Sequence, residues 1–323
     1  MPFNSQVTRT DAAALIPEEV SDALLNRIIE TNPVLQLARR LPNMARAQLR
    51  LPVVSALATA YFVDGDTGLK QSTDMSWENK YVDAAEVAAI VPIAQSVLDD
   101  ADYDIWGQVR PALVEAFNKT IVQAVFYGTN IPATWTTNMG AAGLVARCTA
   151  ASHTISAAAY TDMYEAIMSE TAAGADGVLM LLEADGYMAT GHVAHTSMRG
   201  KLRNVRDSNG QPLFVNTMQE RASYQLDGAP VYFPLDGSIN ASSSLMISGD
   251  WSQLVWSIRQ DMTYKLLDQA VIQDAAGNII YNLAQQDMVA LRAVMRLGFA
   301  LPNPINQMNA TALTRCAFAT LTA

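Results

Sequence analysis

The sequence predicts an α+β fold, and three observations support this prediction. Apolar and polar residues alternate with the period of strands from Gln48, and strand patterns return from Leu245 onward. One stretch of about 24 residues, from Asp104 to Tyr127, has the broad apolar face of a long helix. Between these regions, predicted helices and strands alternate through the middle of the chain.

The chain begins with a predicted N-terminal arm that contains two short helices. Pro17 stands at the first helical position of one, with Val20, Leu24 and Ile28 at helical spacing. Asn32-Pro33 ends it and starts a second helix, which runs to residue 41 before Pro42. The one basic cluster of the chain follows closely and consists of Arg39, Arg40, Arg46 and Arg50.

A long β-hairpin is predicted after the arm. Leu49, Leu51 and Val53 alternate with polar or turn residues, and a polar stretch at residues 64–74 separates two β-rich pieces. A two-stranded arm of this kind is only marginally stable in water. The pattern therefore indicates that another part of an assembly supports the hairpin.

The remaining elements are predicted from apolar spacing and turn residues. Pro111 is expected to kink or break the long helix. In the middle of the chain, Thr161 begins a helix that runs to Gly174, a fully apolar strand covers residues 177–182, and a further helix precedes the turn at 207–210. The later predicted strands cover residues 245–247, 254–258, 262–267, 270–273, 279–283 and 288–299.

Composition excludes several classes of protein. No apolar run in the 323 residues approaches the roughly 18 that a membrane span needs, and the N-terminus lacks the features of a signal peptide. The net charge of −10 argues against a protein that grips nucleic acid. Charged residues make up only 16% of the chain, which hints that much of its exterior contacts other protein. Cys148 and Cys316 are interpreted as buried free thiols.

No catalytic, cofactor or metal site is predicted. The acidic residues near position 64 resemble the start of a calcium loop, but Met75 stands where the bidentate glutamate should be. His192 and His195 have the spacing of metal ligands on a helix, without a third ligand at a recognisable distance. An alternative of a different class remains, a soluble α/β metal-dependent enzyme that uses both histidines and Asp185.

An ordered set of sequence phrases lies at residues 15–19, 89–100, 202–214, 226–231, 249–252 and 292–299. Taken in this order, the phrases resemble the major capsid proteins of tailed bacteriophages, with the HK-ninety-seven-type fold. The resemblance extends over about residues 15–304, nearly the whole chain, and no single phrase is diagnostic.

The resemblance implies a phage major capsid fold with a defined division of the chain. The expected parts are an N-terminal arm at 1–48, an extended β-hairpin loop at 49–85, a first part of the peripheral domain with a long spine helix at 86–149, an α/β axial domain at 150–258, and a second peripheral part with the C-terminal tail at 259–323. The implied function is a structural protein that self-assembles into the icosahedral shell around the genome.

The resemblance also implies partners and contact residues. The partners are other copies of the chain in pentamers and hexamers, a separate scaffolding protein, a portal, and in some shells a decoration protein. DNA is enclosed without sequence-specific binding, no membrane is involved, and the chain assembles in the host cytoplasm and ends in the virion. The expected contacts between subunits are Asp64, Asp66, Lys70, Trp77 and Lys80 in the extended loop, and Arg39, Arg40, Arg46 and Arg50 in the arm.

A further expectation comes from the family. Some members join subunits by an isopeptide bond from a loop lysine, here Lys70 or Lys80, to an asparagine, here Asn278 or Asn282. The promoting glutamate is missing, because none follows Glu220, and we therefore expect no cross-linking. Without that glutamate, Asp268, Asp274 or Asp287 would have to accept the proton of the lysine.

Rival interpretations of the sequence are an encapsulin-like nanocompartment shell, which shares the fold, and a tail or connector protein, which fits the axial-domain phrases less well.

Overall fold

In a computed structural model of the protein, one long helix joins two β-sheets. The structure describes residues 32–63, 68–100, 105–160, 162–168, 176–206, 209–211, 224–274 and 276–323. Some sequence-based expectations lie outside these residues: the first arm helix from Pro17, the loop residues Asp64 and Asp66, both ends of the helix expected from Thr161 to Gly174, and part of the turn at 207–210.

The described helices are short apart from α3, and the described strands range from two to thirteen residues. The helices are α1 (Pro33–Leu37), α2 (Gln95–Asp99), α3 (Ile105–Tyr127), α4 (Ala133–Met139), α5 (Leu144–Ala150), α6 (Met163–Met168), α7 (Val178–Ala184) and α8 (Ser197–Arg203). The strands are β1 (Arg39–Arg40), β2 (Gln48–Ala56), β3 (Ser76–Asp83), β4 (Ala85–Ala94), β5 (Thr154–Ser156), β6 (Gly191–Ala194), β7 (Gln225–Leu226), β8 (Ala229–Tyr232), β9 (Met246–Gly249), β10 (Val255–Leu267), β11 (Val271–Gln273), β12 (Ile279–Asn282), β13 (Met288–Ala300) and β14 (Phe318–Thr322).

The long sheet has the strand order β1-β10-β13-β4 among the described residues. β13 pairs antiparallel with both β10 and β4, and β1 pairs parallel with β10. The predicted strands at 254–258 and 262–267 form the single strand β10, in which the register shifts between Ile258 and Thr263. Such shifts mark bulges, which bend a strand without ending it.

Helix α3 connects the two sheets. It matches the predicted helix and continues through Pro111, so the alternative that this proline breaks the helix is wrong. Leu113 and Phe117 in its first half pack on Leu291 and Ala293 of β13. The second half of α3 runs into a separate, larger core with Ile121, Val122, Val125 and Phe126.

The short-strand sheet has the order β5-β14-β9-β6-β8-β7 within the described part of the chain. The sequence analysis did not predict β14, which lies between β5 and β9, parallel to the first and antiparallel to the second. Phe318 and Leu321 of β14 are fully buried, on opposite sides of the sheet. The C-terminal tail therefore ends as an inner strand of this sheet.

The predicted strand at 177–182 is wrong, because residues 178–182 belong to helix α7 and Gly177 precedes its first turn. A short apolar run does not distinguish a buried strand from a buried helix by its period, and leucine and methionine favour helices. Val178, Leu179 and Leu182 bury one face of α7 against Met198 of α8 and the strands of the short-strand sheet. The apolar strand of this region lies later, at β6.

The second arm helix is shorter than expected. Asn32 begins it, as predicted, and its side chain accepts a hydrogen bond from Val34 N at 3.0 Å. The helix ends at Leu37 rather than at residue 41, because the backbone of Arg39 instead pairs with β10, donating to Leu254 O at 2.9 Å. The tertiary hydrogen bonds of β1 therefore override the local helical pattern.

Trp251 is the centre of the core that α3 enters. Its ring lies 5.2 Å from that of Phe318 on β14 and 6.0 Å from that of Phe126 on α3. Its indole nitrogen donates to Gly191 O on β6 at 2.8 Å. One side chain therefore joins the long helix to two strands of the short-strand sheet.

Gly298 allows β13 to lie against the end of the hairpin. A Cβ there would stand 2.5 Å from Asp83 O, too close for any side chain. We expect Gly298→Ala to lower the free energy of unfolding by about 1–3 kcal/mol because β13 must shift. Gly200→Ala in α8 is the matched control, since nothing lies within 4 Å, and it should add about 0.4–1 kcal/mol. Chemical denaturation measures both, and equal stability of the two variants would contradict the steric argument.

Candidate assembly interface

The hairpin β2–β3 is anchored at its base and exposed toward its tip. The strands pair antiparallel from Gln48 opposite Asp83 to Ala56 opposite Ser76, which confirms the predicted hairpin. At the base, Val82 is fully buried, and Leu49 and Leu51 pack into the same small cluster. Beyond this base, the hairpin contributes little to the core of the chain.

The outer half of the hairpin exposes large apolar side chains. Phe62 is fully exposed, Leu69 nearly so, and Trp77 retains 65% of its accessible surface. The described hydrogen bonds there are few, such as Tyr61 Oη to Gln71 O at 2.8 Å. Several exposed large apolar side chains on a slender arm are typical of a surface that another protein covers.

Of the described loop residues that the sequence analysis selected, Lys70 and Trp77 are exposed in this outer half. Lys80 lies nearer the base of the hairpin, opposite Leu51, and is half-buried. Lys80 Nζ forms an ion pair with Glu78 Oε1 at 2.9 Å, since residues two apart share one face of a strand. This pair is partly exposed, so it adds little stability to the isolated chain.

The four arm arginines are exposed but do not form one patch on one element. Arg39 and Arg40 lie on β1, Arg46 in the following loop, and Arg50 on β2. The Arg40 guanidinium lies 5.5 Å from the centre of the Trp256 ring and also donates to Asn43 Oδ1 at 3.1 Å. None of the four forms an ion pair with any residue that the structure describes.

The asparagines considered for cross-linking are engaged with their own turns. Asn278 donates its side-chain nitrogen to Asp274 Oδ2 at 3.0 Å, and its backbone N–H donates to Asp274 Oδ1 at 2.8 Å. These bonds lower the pKa of Asp274, so this carboxylate is a weak base. Asn282 donates to Gln285 Oε1 at 2.8 Å.

The histidines do not form a metal site. His192 is fully buried, with Nδ1 2.8 Å from Ser248 Oγ and Nε2 3.1 Å from Leu226 O. His195 lies beyond the end of β6 with its Nδ1 2.8 Å from Ser197 Oγ. No group of three possible metal ligands occurs among the described residues. Asp185, the third member of the enzyme alternative, is engaged elsewhere.

Asp185 holds the approach to the C-terminal strand, a role the sequence did not indicate. Its Oδ2 accepts from the backbone N–H of Cys316 at 2.7 Å and lies 3.3 Å from His153 Nε2. Its Oδ1 accepts from Asn309 Nδ2 at 2.7 Å. The signal available in the sequence was an aspartate that lies close to the apolar run at residues 177–182. Its partners lie more than a hundred residues away, apart from His153.

Both cysteines are buried, as predicted. Burial raises the pKa of the Cys148 thiol, which keeps it protonated and unreactive.

Among the helices that the structure describes, none combines the length and the apolar character that a bilayer span requires.

The stability of the chain is expected to fall in mild acid. Burial lowers the pKa of His153 and of His192 in the folded state. The neutral rings therefore stabilise the fold fully above the unfolded pKa of about 6.5, and this contribution is lost as the pH falls toward the lowered folded pKa. We expect the temperature of the thermal midpoint to decrease as the pH is lowered from about 7.5 to about 5.5.

Two variants isolate this histidine contribution. His192→Gln should reduce the slope of the thermal midpoint against pH, whatever its effect on the midpoint itself. His195→Gln is the matched control, because its ring is partly exposed. Identical slopes for the two variants and the unchanged chain would contradict the assignment.

Comparisons with known proteins agree with this geometry. The model of the Phage capsid family matches residues 12–306. The "Major capsid protein" of Staphylococcus phage 80alpha is 25% identical over 285 residues, which cover 86% of this chain and 79% of that protein. A solved chain from Microbacterium phage Oxtober96 has a TM-score of 0.79 and 28% identity, covering 98% of this chain and 99% of that one. A solved chain from Mycobacterium phage Adephagia has a TM-score of 0.76 and 27% identity, covering 98% of each chain.

These matches confirm the resemblance drawn from the sequence phrases and the α+β fold. The family model extends over nearly the same residues as the phrases, and the structural matches extend over almost the whole chain. The enzyme alternative is not favoured. The chain belongs to the phage capsid family.

Proposed function

We propose that this structural shell protein assembles into the icosahedral capsid of a tailed phage, as pentamers and hexamers, and that hairpin β2–β3 lies across a neighbouring copy. The observation that carries the proposal is the exposed apolar outer half of the hairpin, with Phe62, Leu69 and Trp77. In a shell this surface is covered, and the hairpin gains the support that an isolated two-stranded arm lacks.

The chain division at 1–48, 49–85, 86–149, 150–258 and 259–323 remains part of the proposal. The long sheet with the first half of α3 supports a peripheral domain, and the short-strand sheet with α6, α7 and α8 supports an axial domain. β14 adds the end of the last segment to the short-strand sheet.

The exposed arginines support a second contact between subunits. Arg39, Arg40, Arg46 and Arg50 have no ionic partner among the described residues, while the chain carries 31 acidic and 21 basic residues. Each copy therefore presents carboxylates that the arginines of its neighbour can meet. A weak DNA-facing patch is the rival role for these four side chains.

The proposal extends to the partners and the setting. The shell assembles in the host cytoplasm with a separate scaffolding protein and a portal, and decoration proteins are further candidate partners. No catalytic activity is assigned to the chain. Its net charge of −10 helps the shell to enclose DNA without adhering to it.

Negative-stain electron microscopy of the protein, expressed alone and with its neighbouring genes, is the direct test. Closed polyhedral shells, or rings of five and six subunits, are the expected result. The diameter of the shells separates a phage capsid from a small nanocompartment. A homogeneous monomer or dimer under both conditions, unchanged by concentration or salt, would overturn the proposal.

Truncation of Trp77 tests the hairpin contact. Because this side chain is mostly exposed in the single chain, Trp77→Ala should leave the thermal midpoint of the unassembled protein nearly unchanged. It should raise the protein concentration needed for assembly by about tenfold or more, since buried tryptophans at interfaces often contribute 2 kcal/mol or more. Light scattering at matched concentrations measures this effect. Trp77→Phe is the control and should largely restore assembly, whereas equal assembly of both variants would contradict the contact.

We expect assembled shells to carry no covalent links between subunits. The segment after Glu220 contains no glutamate that could accept a proton from Lys70 or Lys80. Asp274, which lies beside Asn278, is a weak base. A boiled denaturing gel of mature particles should show the single-chain band alone. A ladder of covalent oligomers that persists after reduction would contradict this expectation.

A further inference from the structure

A cavity of about 320 Å³ lies between the base of the hairpin and the loop that leads to β14. Val53 and Val54 of β2 form part of one wall, and the end of α4 forms another. The loop side is formed by residues 301–315, which approach the hairpin through Ile305 N and Val54 O at 3.4 Å.

Two buried guanidinium groups line this cavity. Arg147 on α5 is 6% exposed and Arg315 is 2% exposed. Neither forms an ion pair with a carboxylate among the described residues. The buried Asp185 is engaged by Cys316, Asn309 and His153 instead. The lining carboxylate, Glu78, pairs with Lys80, so the two buried guanidinium groups have no carboxylate of their own among the described residues, which is costly unless a counter-charge enters.

Arg147 retains hydrogen-bonding capacity after its internal contacts, whereas every guanidinium nitrogen of Arg315 already donates to Asn303 or Asn309. Arg147 uses one nitrogen, Nη2, to donate to Ala312 O at 2.6 Å and Arg315 O at 2.8 Å. Its Nη1 and Nε donate no hydrogen bond to the part of the chain that the structure describes. Neither of these two nitrogens is fully buried. Both nitrogens therefore retain some exposed surface, and because they point to opposite sides of the guanidinium, each can donate a single charge-assisted hydrogen bond to a carboxylate oxygen.

The rest of the lining suits a side chain rather than a small free ion. Lys80 adds a third positive charge, although Glu78 already pairs with it. Leu313, 75% exposed, contributes an apolar surface to the lining together with Val53 and Ile305. An aliphatic stem that ends in a carboxylate matches both the apolar lining and the buried guanidinium groups.

We propose that this cavity is a carboxylate-binding site that receives an acidic side chain from a second copy of the chain. The inference rests on the proposed shell, in which neighbouring copies meet at high local concentration. Each copy carries more acidic than basic residues, 31 against 21, so the partner surface has the complementary charge. The occupied site would fasten the hairpin base and the loop before β14 of one subunit to its neighbour.

A side-chain-resolution reconstruction of assembled shells tests the site directly. We expect an aspartate or glutamate of a neighbouring copy within hydrogen-bond distance of Arg147 Nη1 or Nε. Shells in which the cavity is empty, or holds only water or a free ion, would overturn this inference alone. If the unchanged chain forms no shell, the proposed function fails as well.

A charge pair at Leu313 provides an independent test that leaves the buried arginines intact. Leu313 is exposed in the single chain, so neither Leu313→Asp nor Leu313→Lys should impair folding, which thermal unfolding checks. An incoming carboxylate is repelled by aspartate and attracted by lysine. Leu313→Asp should therefore need about tenfold more protein to assemble than Leu313→Lys. The difference should shrink at high salt. Equal assembly of the two variants at low salt would overturn the inference.

Discussion

The fold depends on the packing of one helix, α3, against two sheets. Its first half buries Leu113 and Phe117 on β13, and its second half carries Phe126 to Trp251 in the core beside the short-strand sheet. The two sheets are thereby held at a fixed distance by a helix of about 35 Å.

The hairpin β2–β3, unlike α3, is buried at one end only. Its base is fixed by Val82 and by Gly298, which lets β13 approach the backbone of Asp83, while its outer half presents apolar side chains to solvent. A single chain gains little from ordering such an arm, because folding must offset about 1–2 kcal/mol of backbone entropy for each ordered residue. In the proposed shell, a neighbouring copy supplies the missing burial, which would link the shape of the arm thermodynamically to assembly.

Charge is arranged differently inside and outside the chain. The exterior is acidic and sparse in charge, whereas the loop before β14 is held by buried arginines that donate to backbone carbonyls. Asp185 completes this arrangement by accepting the backbone N–H of Cys316, immediately before the last strand. The C-terminal segment is thus fixed by polar contacts of great sequence separation, and the cavity beside it retains unmatched positive charge.

The sequence by itself determined the elements whose pattern is long and local, namely the hairpin β2–β3, helix α3 and the long strand β13, whereas it divided β10 into two strands. The family resemblance also selected loop and arm residues such as Trp77 and Arg40, and both are exposed in the single chain. The sequence pattern misassigned α7, since a short buried apolar run has no period that separates helix from strand. Only the tertiary structure decided that β14 lies inside a sheet and that Arg147 meets the loop of Arg315, because the pairing of segments more than 160 residues apart depends on the packing of the whole chain.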